Sequence, residues 1–319
     1  MAMMTATPEV SPAQKKKTRR KNQPVAYLYL GPALISIAIL GIAPLLYTVY
    51  IAFTNFDMYH FTSYQFVGLQ NFIDIINGPY LSVFEPVFVW TIVFAVTTTL
   101  ANYLVGLFVA VLLNNEHMKE SNIYRAILIV PWAVPALITQ LSWSNLLNKD
   151  YGPINQFLHL FGIHAIPWLT DPFWAKISVL LVNLWLGYPY MMSVSLGALQ
   201  AVPKDLYEAA QIDGANWWQQ FFYVTIPAIW KITIPLIIPS FAFNFNNFNA
   251  IYALTQGGPA RPDTQFAGYT DILISAAYKM SLTFNKFEIA AALSVMVFIL
   301  VGVISLIQMK ASGAFQEAD

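Results

Sequence analysis

The sequence predicts an all-α integral membrane protein with about six transmembrane helices, and three observations support this fold class. Hydrophobic residues make up 57% of the 319 residues, charged residues make up 10%, and the mean hydropathy is +0.56. About 25% of the residues of a typical soluble domain are charged, so the composition excludes a soluble fold. Apolar stretches long enough to cross a bilayer core of about 30 Å recur along the chain. They lie near residues 27–52, 87–113, 126–147, 174–199, 228–254 and 288–309.

Four segments follow from this pattern, in chain order. Residues 1–25 are rich in small polar and basic residues, which predicts a disordered basic cytoplasmic tail. Residues 26–86 contain the first transmembrane helix and an outer loop. Residues 87–310 form the core transmembrane domain, and residues 311–319 form a C-terminal tail.

Basic residues orient the predicted helices in the membrane. Six lysine and arginine residues lie between Lys15 and Lys21, directly before the first span. Because such residues stay on the cytoplasmic side, both termini and the loop at 202–227 are predicted to face the cytosol. The first apolar stretch is too long for the core of a signal peptide, which indicates an uncleaved anchor. The basic run could also bind acidic lipid or nucleic acid, but as a topology signal it needs no further role. We therefore expect membrane lipid, and no nucleic acid, among the partners.

Residue types that carry catalysis or bind metals are scarce in this chain. It has no cysteine, and its four histidines, His60, His117, His159 and His164, lack the spacing of metal ligands. No glycine-rich loop ending in Gly-Lys-Ser or Gly-Lys-Thr is present to hold a nucleotide. The sequence therefore predicts no catalytic residue, no metal site and no cofactor in this chain. Any ATP that drives it must be hydrolysed by a partner.

The segment 202–227, VPKDLYEAAQIDGANWWQQFFYVTIP, is a polar stretch between two apolar spans. Asp205 and Glu208 favour the positive N-terminal end of a short helix. After a turn at Gly214, a second short helix presents four aromatic residues, Trp217, Trp218, Phe221 and Phe222. This much exposed aromatic surface predicts a docking site for a soluble partner. The alternative is an amphipathic helix hairpin that lies on the membrane surface.

Two apolar spans carry stripes of amide, hydroxyl and aromatic side chains at helical spacing. The stripes are Asn183, Leu186, Gly187 and Tyr190, and Ser240, Phe243, Asn244 and Asn247. Rings can stack on a sugar while amides bond its hydroxyls, and neither stripe carries a charge for an ionic substrate. The alternative is that the amides join neighbouring helices. We predict that role for Asn246 and Asn249, which point away from the Asn244 face.

The polar loop resembles the EAA motif of ATP-binding cassette (ABC) importer permeases. The matching residues are Glu208, Ala209, Ala210, Gly214, Ile226 and Pro227. Segments 183–192, 240–248, 254–259 and 267–271 resemble the MalF-type permeases of maltose/maltodextrin ABC importers. Residues 66–72 match a pattern common among sugar permeases.

This resemblance implies the type I ABC importer permease fold. It also implies a loop that couples to the ATPase through Glu208, Ala209, Ala210, Asp213 and Gly214, and a sugar site halfway across the membrane. That site would contain both stripes and Trp132. The maltose binders of this family have Tyr and Ser where this chain has Trp132 and Ala136, which leaves the saccharide and its length open.

We therefore expect a permease subunit, not an enzyme, that imports maltose or maltodextrin-type oligosaccharides across a prokaryotic cell membrane. The expected partners are a second, MalG-like permease, two copies of an ABC ATPase subunit that binds ATP and Mg²⁺, and an extracellular sugar-binding protein. One alternative is the same architecture with another substrate, such as a galacto-oligosaccharide. A cation-coupled secondary carrier is a second alternative, but no Asp or Glu lies in the middle of a predicted span. A membrane glycosyltransferase would need paired carboxylates, whereas Asp271 and Glu288 are isolated.

Overall fold

A computed structural model describes residues 23–115 and 118–311, and the regular structure in these ranges is helical. Two π-helical segments, Ala38–Ile42 and Phe221–Thr225, continue directly into α-helices. The α-helices are α1 (Gln23–Ile37), α2 (Ala43–Ala52), α3 (Gln70–Ile76), α4 (Leu81–Leu113), α5 (Ser121–Leu128), α6 (Val130–Ala133), α7 (Ala136–Leu146), α8 (Pro153–His159), α9 (Pro172–Gln200), α10 (Lys204–Ile212), α11 (Trp217–Gln220), α12 (Ile226–Phe245), α13 (Phe248–Thr255), α14 (Leu273–Leu282) and α15 (Phe287–Ala311). The predicted tails, residues 1–25 and 311–319, lie outside the described residues except at 23–25 and 311.

Four helices in the described part of the chain are long and apolar enough to cross a membrane. They are Leu28–Ala52, Leu81–Leu113, Pro172–Gln200 and Phe287–Lys310. Each coincides with an apolar stretch identified in the sequence. The predicted all-α membrane fold class is therefore confirmed.

The apolar stretch near 126–147 forms three short helices, α5 to α7, and not one continuous span. Val134 is extended, with a ψ of 138°. The ring of Pro135 explains this geometry, because proline disfavours the helical conformation in the residue before it. The helix is therefore interrupted at residues 134–135.

The apolar stretch near 228–254 is bent. Trp217–Trp230 and Ile232–Phe245 meet at an angle of 65°, and counting this pair as one span raises the number of spans in the described residues to five. Pro235 explains the bend, because its ring has no N–H to donate and clashes with the carbonyl of residue 231, four positions earlier.

The described part of the chain divides into two units, one up to Tyr47 and the other from Thr48 onward. In the first unit, the described residues are helical and many large apolar side chains are exposed; Leu40 is 79% exposed. Such a surface suits contact with lipid. Every site discussed below belongs to the second unit.

Helices α4 and α9 form the most extensive helix pair of the second unit. Gly106 on α4 permits this close packing, because a Cβ atom there would lie 2.6 Å from the backbone nitrogen of Met192 on α9. Three apolar clusters contain residues of α4, with Val87, Phe94 and Leu107 each in a different cluster. Helix α4 is therefore the central element against which the others pack.

The buried carboxylate of Asp271 has a structural role. It accepts hydrogen bonds from the Gly268 backbone N–H at 2.7 Å and from the Ser275 hydroxyl at 2.8 Å. It also pairs with the Lys279 ammonium at 2.6 Å. The turn at Gly257, whose φ of 78° favours glycine, lies against this carboxylate, and a Cβ atom at residue 257 would overlap it.

Candidate functional site

A cavity of about 650 Å³ is lined by residues of α4, α6, α7, α9, α12 and α13, and none of its lining side chains is charged. Its polar lining residues are Thr99, Asn102, Gln140, Asn183, Ser240, Asn244, Asn247 and Asn249. All nine residues that the sequence analysis assigns to substrate binding also line it: Trp132, Asn183, Leu186, Gly187, Tyr190, Ser240, Phe243, Asn244 and Asn247. The structure therefore brings together residues that are more than 100 positions apart in the chain.

Helix α9 presents the first stripe as its spacing predicts. The helix is continuous from Pro172 to Gln200, so residues three and four positions apart share a face. Asn183, Leu186, Gly187 and Tyr190 all reach the cavity from this one helix.

The second stripe is built from two helices and not from one. Ser240, Phe243 and Asn244 lie on α12, which ends at Phe245. Asn247 is the N-cap of α13, where its side-chain oxygen accepts a hydrogen bond from the Ala250 backbone N–H at 3.2 Å.

The interruption between α12 and α13 also means that Asn249 does not point where one continuous helix would place it. Asn249 lines the cavity, so the prediction that it points away is wrong. Asn246 donates to the carbonyl of Ala242 within its own helix at 3.3 Å. The prediction assumed one continuous helix, and its periodicity ends at Phe245.

A relay of three amides and one hydroxyl joins α4, α9, α12 and the N-cap of α13 at the cavity wall. Asn183 Nδ2 donates to Asn244 Oδ1 at 3.1 Å, and Asn244 Nδ2 donates to Thr99 Oγ1 on α4 at 3.1 Å. Asn247 Nδ2 donates to Asn183 Oδ1 at 3.3 Å. Asn183 and Asn244 are buried. These amides therefore connect helices, as the alternative interpretation expects, and they line the cavity as well.

Aromatic rings form another part of the wall. The ring centroids of Trp132 on α6 and Tyr190 on α9 are 6.1 Å apart, with 35° between their planes. Phe243 and Trp132 are 68% and 56% exposed. Exposed rings of this kind can stack on the apolar face of a flat or ring-shaped solute.

Asn102 and Gln140 also belong to the site, although they were not predicted from the sequence. Their side chains are 7% and 2% exposed, and both line the cavity. Each is an amide residue within a predicted apolar span, and such a residue usually faces a bundle interior or a cavity. The sequence therefore contained a feature that could have identified both.

Asn102 also explains why residue 187 is glycine. A Cβ atom at Gly187 would lie 2.7 Å from the Cγ of Asn102, 2.9 Å from its Oδ1, and closer still to its Nδ2. Gly187 therefore provides the space in which the Asn102 amide sits.

The predicted coupling loop consists of two short helices joined by a tight turn. Gly214 follows α10 with a φ of 79°. The Gly214 N–H donates to the Gln211 carbonyl at 3.0 Å and the Ala215 N–H to the Ala210 carbonyl at 2.9 Å. This pair of bonds is the Schellman helix ending, in which the left-handed position favours glycine. A capping box between Asn216 and Gln219 then begins α11.

The surface of this loop is open to a partner. Glu208, Ala209, Asp213 and Gly214 are exposed, and Ala210 is half-buried. Among the aromatic residues, Trp217, Trp218 and Phe222 are exposed whereas Phe221 is half-buried. Trp217 stacks on Phe221, with ring centroids 5.5 Å apart, and Trp218 stacks on Phe222 at 6.2 Å.

Within residues 23–115 and 118–311, no group of three His, Cys, Asp or Glu side chains is placed to hold a metal ion.

Comparisons with known proteins identify relatives along most of the chain. Residues 102–312 match the model of the family described as "Binding-protein-dependent transport system inner membrane component". The maltodextrin transport system permease protein MdxF of Bacillus subtilis is 41% identical over 91% of this chain and 69% of its own length. The galactooligosaccharides transport system permease protein GanP of the same organism is 38% identical over 91% of this chain and 71% of its own length.

A solved structure has the same fold. It is a chain of a bacterial alginate ABC transporter in complex with a periplasmic protein that holds an alginate pentasaccharide. Its TM-score is 0.77 at 21% identity, over 92% of this chain and 96% of that chain.

Proposed function

The chain belongs to the binding-protein-dependent transport system inner membrane component family, and we propose that it forms part of the pathway for maltodextrin-type oligosaccharides in a bacterial importer. As a member of this family it is a membrane-spanning permease subunit of an ABC transporter and not itself an enzyme.

One observation carries the substrate proposal: the cavity combines amides, hydroxyls and aromatic rings without any charged lining residue. A carboxylate, phosphate or cation would need a charged group or a helix end to replace its water shell. A neutral sugar needs hydrogen bonds to its hydroxyls and a flat apolar surface for its ring. Nine lining residues are proposed to contact it: Trp132, Asn183, Leu186, Gly187, Tyr190, Ser240, Phe243, Asn244 and Asn247.

The coupling loop is proposed to dock on an ATPase subunit that binds ATP and Mg²⁺. Glu208, Ala209, Ala210, Asp213 and Gly214 would form the contact, and the exposed aromatic rings would be covered by it. The rigid ending of α10 supports this role, because a loop fixed by hydrogen bonds can transmit a displacement to the bundle. A second permease, two ATPase copies and an external sugar-binding protein would complete the importer.

In this arrangement, closure of the ATPase dimer would move the coupling loops and rock the two permeases between inward-open and outward-open states. The cavity would hold sugar between these states. Cation-coupled transport needs an acidic group at the cavity or another ion site, and the lining supplies no acidic group.

The test is the ATPase activity of the purified complex, assembled from this chain, its second permease and its ATPase, with the binding protein added. Maltose, maltotriose, longer maltodextrins and galacto-oligosaccharides would be compared. We expect stimulation by α-1,4-linked glucans, with a length profile set by Trp132 and Ala136.

Two other outcomes are informative. Stimulation by galacto-oligosaccharides alone would retain the importer and replace its substrate. A complex whose ATPase activity responds to no binding protein and no sugar would contradict the proposed function.

A further inference from the structure

Two amides at the cavity have no hydrogen-bonding partner among the residues that the structure describes. Asn102 on α4 and Gln140 on α7 both line the cavity, and the side-chain oxygens Oδ1 of Asn102 and Oε1 of Gln140 are buried without a donor. A buried amide without partners is destabilising, and most such groups in folded proteins are paired. These two groups therefore have hydrogen-bonding capacity that the fold does not use.

The amides of the relay differ from this pair. Asn183 and Asn244 each donate one hydrogen bond and accept another within the protein. Their main oxygen acceptors are thus occupied by neighbouring helices. The wall formed by α4 and α7 carries two amides whose oxygen atoms accept no hydrogen bond from the described residues.

We propose that Asn102 and Gln140 are binding residues that hydrogen-bond the hydroxyls of the transported sugar; this inference rests on the proposed function. A sugar hydroxyl can donate to an amide oxygen or accept from an amide nitrogen, so a saccharide has the groups that either end of these side chains requires. Gly187 serves the same site indirectly, because it makes room for Asn102.

The experiment replaces each amide by an apolar residue of similar shape, in the variants Asn102→Leu and Gln140→Met. The matched control is Ser195→Ala, because Ser195 is also fully buried with an unpartnered hydroxyl but does not line the cavity. Binding of radiolabelled maltotriose to the purified permease–ATPase complex is measured by equilibrium dialysis. Thermal unfolding of the same sugar-free complexes is recorded in parallel.

We expect each cavity variant to raise the Kd for maltotriose by about 3- to 10-fold, which corresponds to the loss of one hydrogen bond. The control should bind as the wild type does. The unfolding midpoints of the two variants should stay equal to that of the wild type or rise, because an unpaired buried amide has been removed.

Unchanged maltotriose binding in both variants would overturn the inference. Lower unfolding midpoints with unchanged binding would likewise overturn it and assign the amides a structural role. A wild-type complex that binds no maltotriose at all would contradict the proposed function first, and the inference with it.

Discussion

Gly187→Ala tests how tightly α4 and α9 are packed beside the cavity. The added Cβ would lie 2.7 Å from the Cγ of Asn102 and 2.9 Å from its Oδ1. Unbonded carbon atoms prefer separations of about 3.5–4.0 Å, so the Asn102 amide must move by about 1 Å. The helices cannot easily separate, because Gly106 on α4 already lies against the backbone of Met192 on α9.

The expected loss follows from these distances. Overpacking of a dense interior costs about 1–3 kcal/mol. In the Asn102→Ala background the three clashing side-chain atoms are absent, so Gly187→Ala should cost less than about 0.5 kcal/mol there. The two substitutions should therefore show a coupling free energy of about 1–3 kcal/mol, within the range for residues in contact.

The assay compares thermal unfolding midpoints of the wild type, both single variants and the double variant in the purified complex. Gly197→Ala is the matched control, because it lies on the same helix with nothing within 4 Å of its Cβ. We expect Gly187→Ala to lower the midpoint by about 2–10 °C and the control to leave it unchanged or slightly raised. An equal loss from Gly187→Ala in both backgrounds would refute the steric reasoning.

Three further predictions concern the coupling loop and the amide relay. Glu208→Ala should reduce sugar-dependent ATP hydrolysis and uptake while the complex still assembles, whereas Glu85→Ala, at the distal end of α4, should change neither. Gly214→Ala should cost about 1 kcal/mol in the loop, because φ of 79° is unfavourable for alanine, and uptake should fall more than thermal stability. Asn244→Ala should remove two interhelical hydrogen bonds, each worth about 0.6 kcal/mol in a membrane, and uptake of labelled maltotriose should fall well beyond the change in complex yield.

Each of these predictions has an opposing result. Normal transport by Glu208→Ala would remove that residue from the coupling contact. Wild-type uptake by Gly214→Ala would mean that the loop tolerates another ending for α10. The Asn244→Ala complex could instead dissociate, while the fraction that stays intact takes up sugar normally. That result would show that the relay only holds the helices together.

The fold class and the turn between two short helices in the loop at 202–227 could be predicted from the sequence because both depend on local properties. The length of an apolar stretch determines whether a helix can cross a bilayer, and four such stretches form continuous helices here. The stripe on α9 could be predicted in the same way, since helical periodicity alone assigns residues to one face. The turn at Gly214 follows from a single residue with a left-handed backbone.

The helix interruptions were only partly predictable. Proline positions indicated breaks, and Pro135 explains the interruption at residues 134–135 while Pro235 explains the bend in α12. The end of α12 at Phe245 had no such marker, so the face assigned to Ser240–Asn247 was treated as one helix. For this reason Asn249 was placed on the wrong side.

The sequence by itself determined which stretches are apolar, which loop is polar and which residues of α9 share one face, because these are properties of consecutive residues. Tertiary structure alone decided which amides satisfy one another. Asn183 pairs with Asn244 across 61 positions, and Gly187 makes space for Asn102 on another helix. Such contacts depend on where two helices cross, and the periodicity of either helix carries no information about that point. The unpaired oxygens of Asn102 and Gln140 can be recognised only from the folded structure, because only the structure shows which donors lie around them.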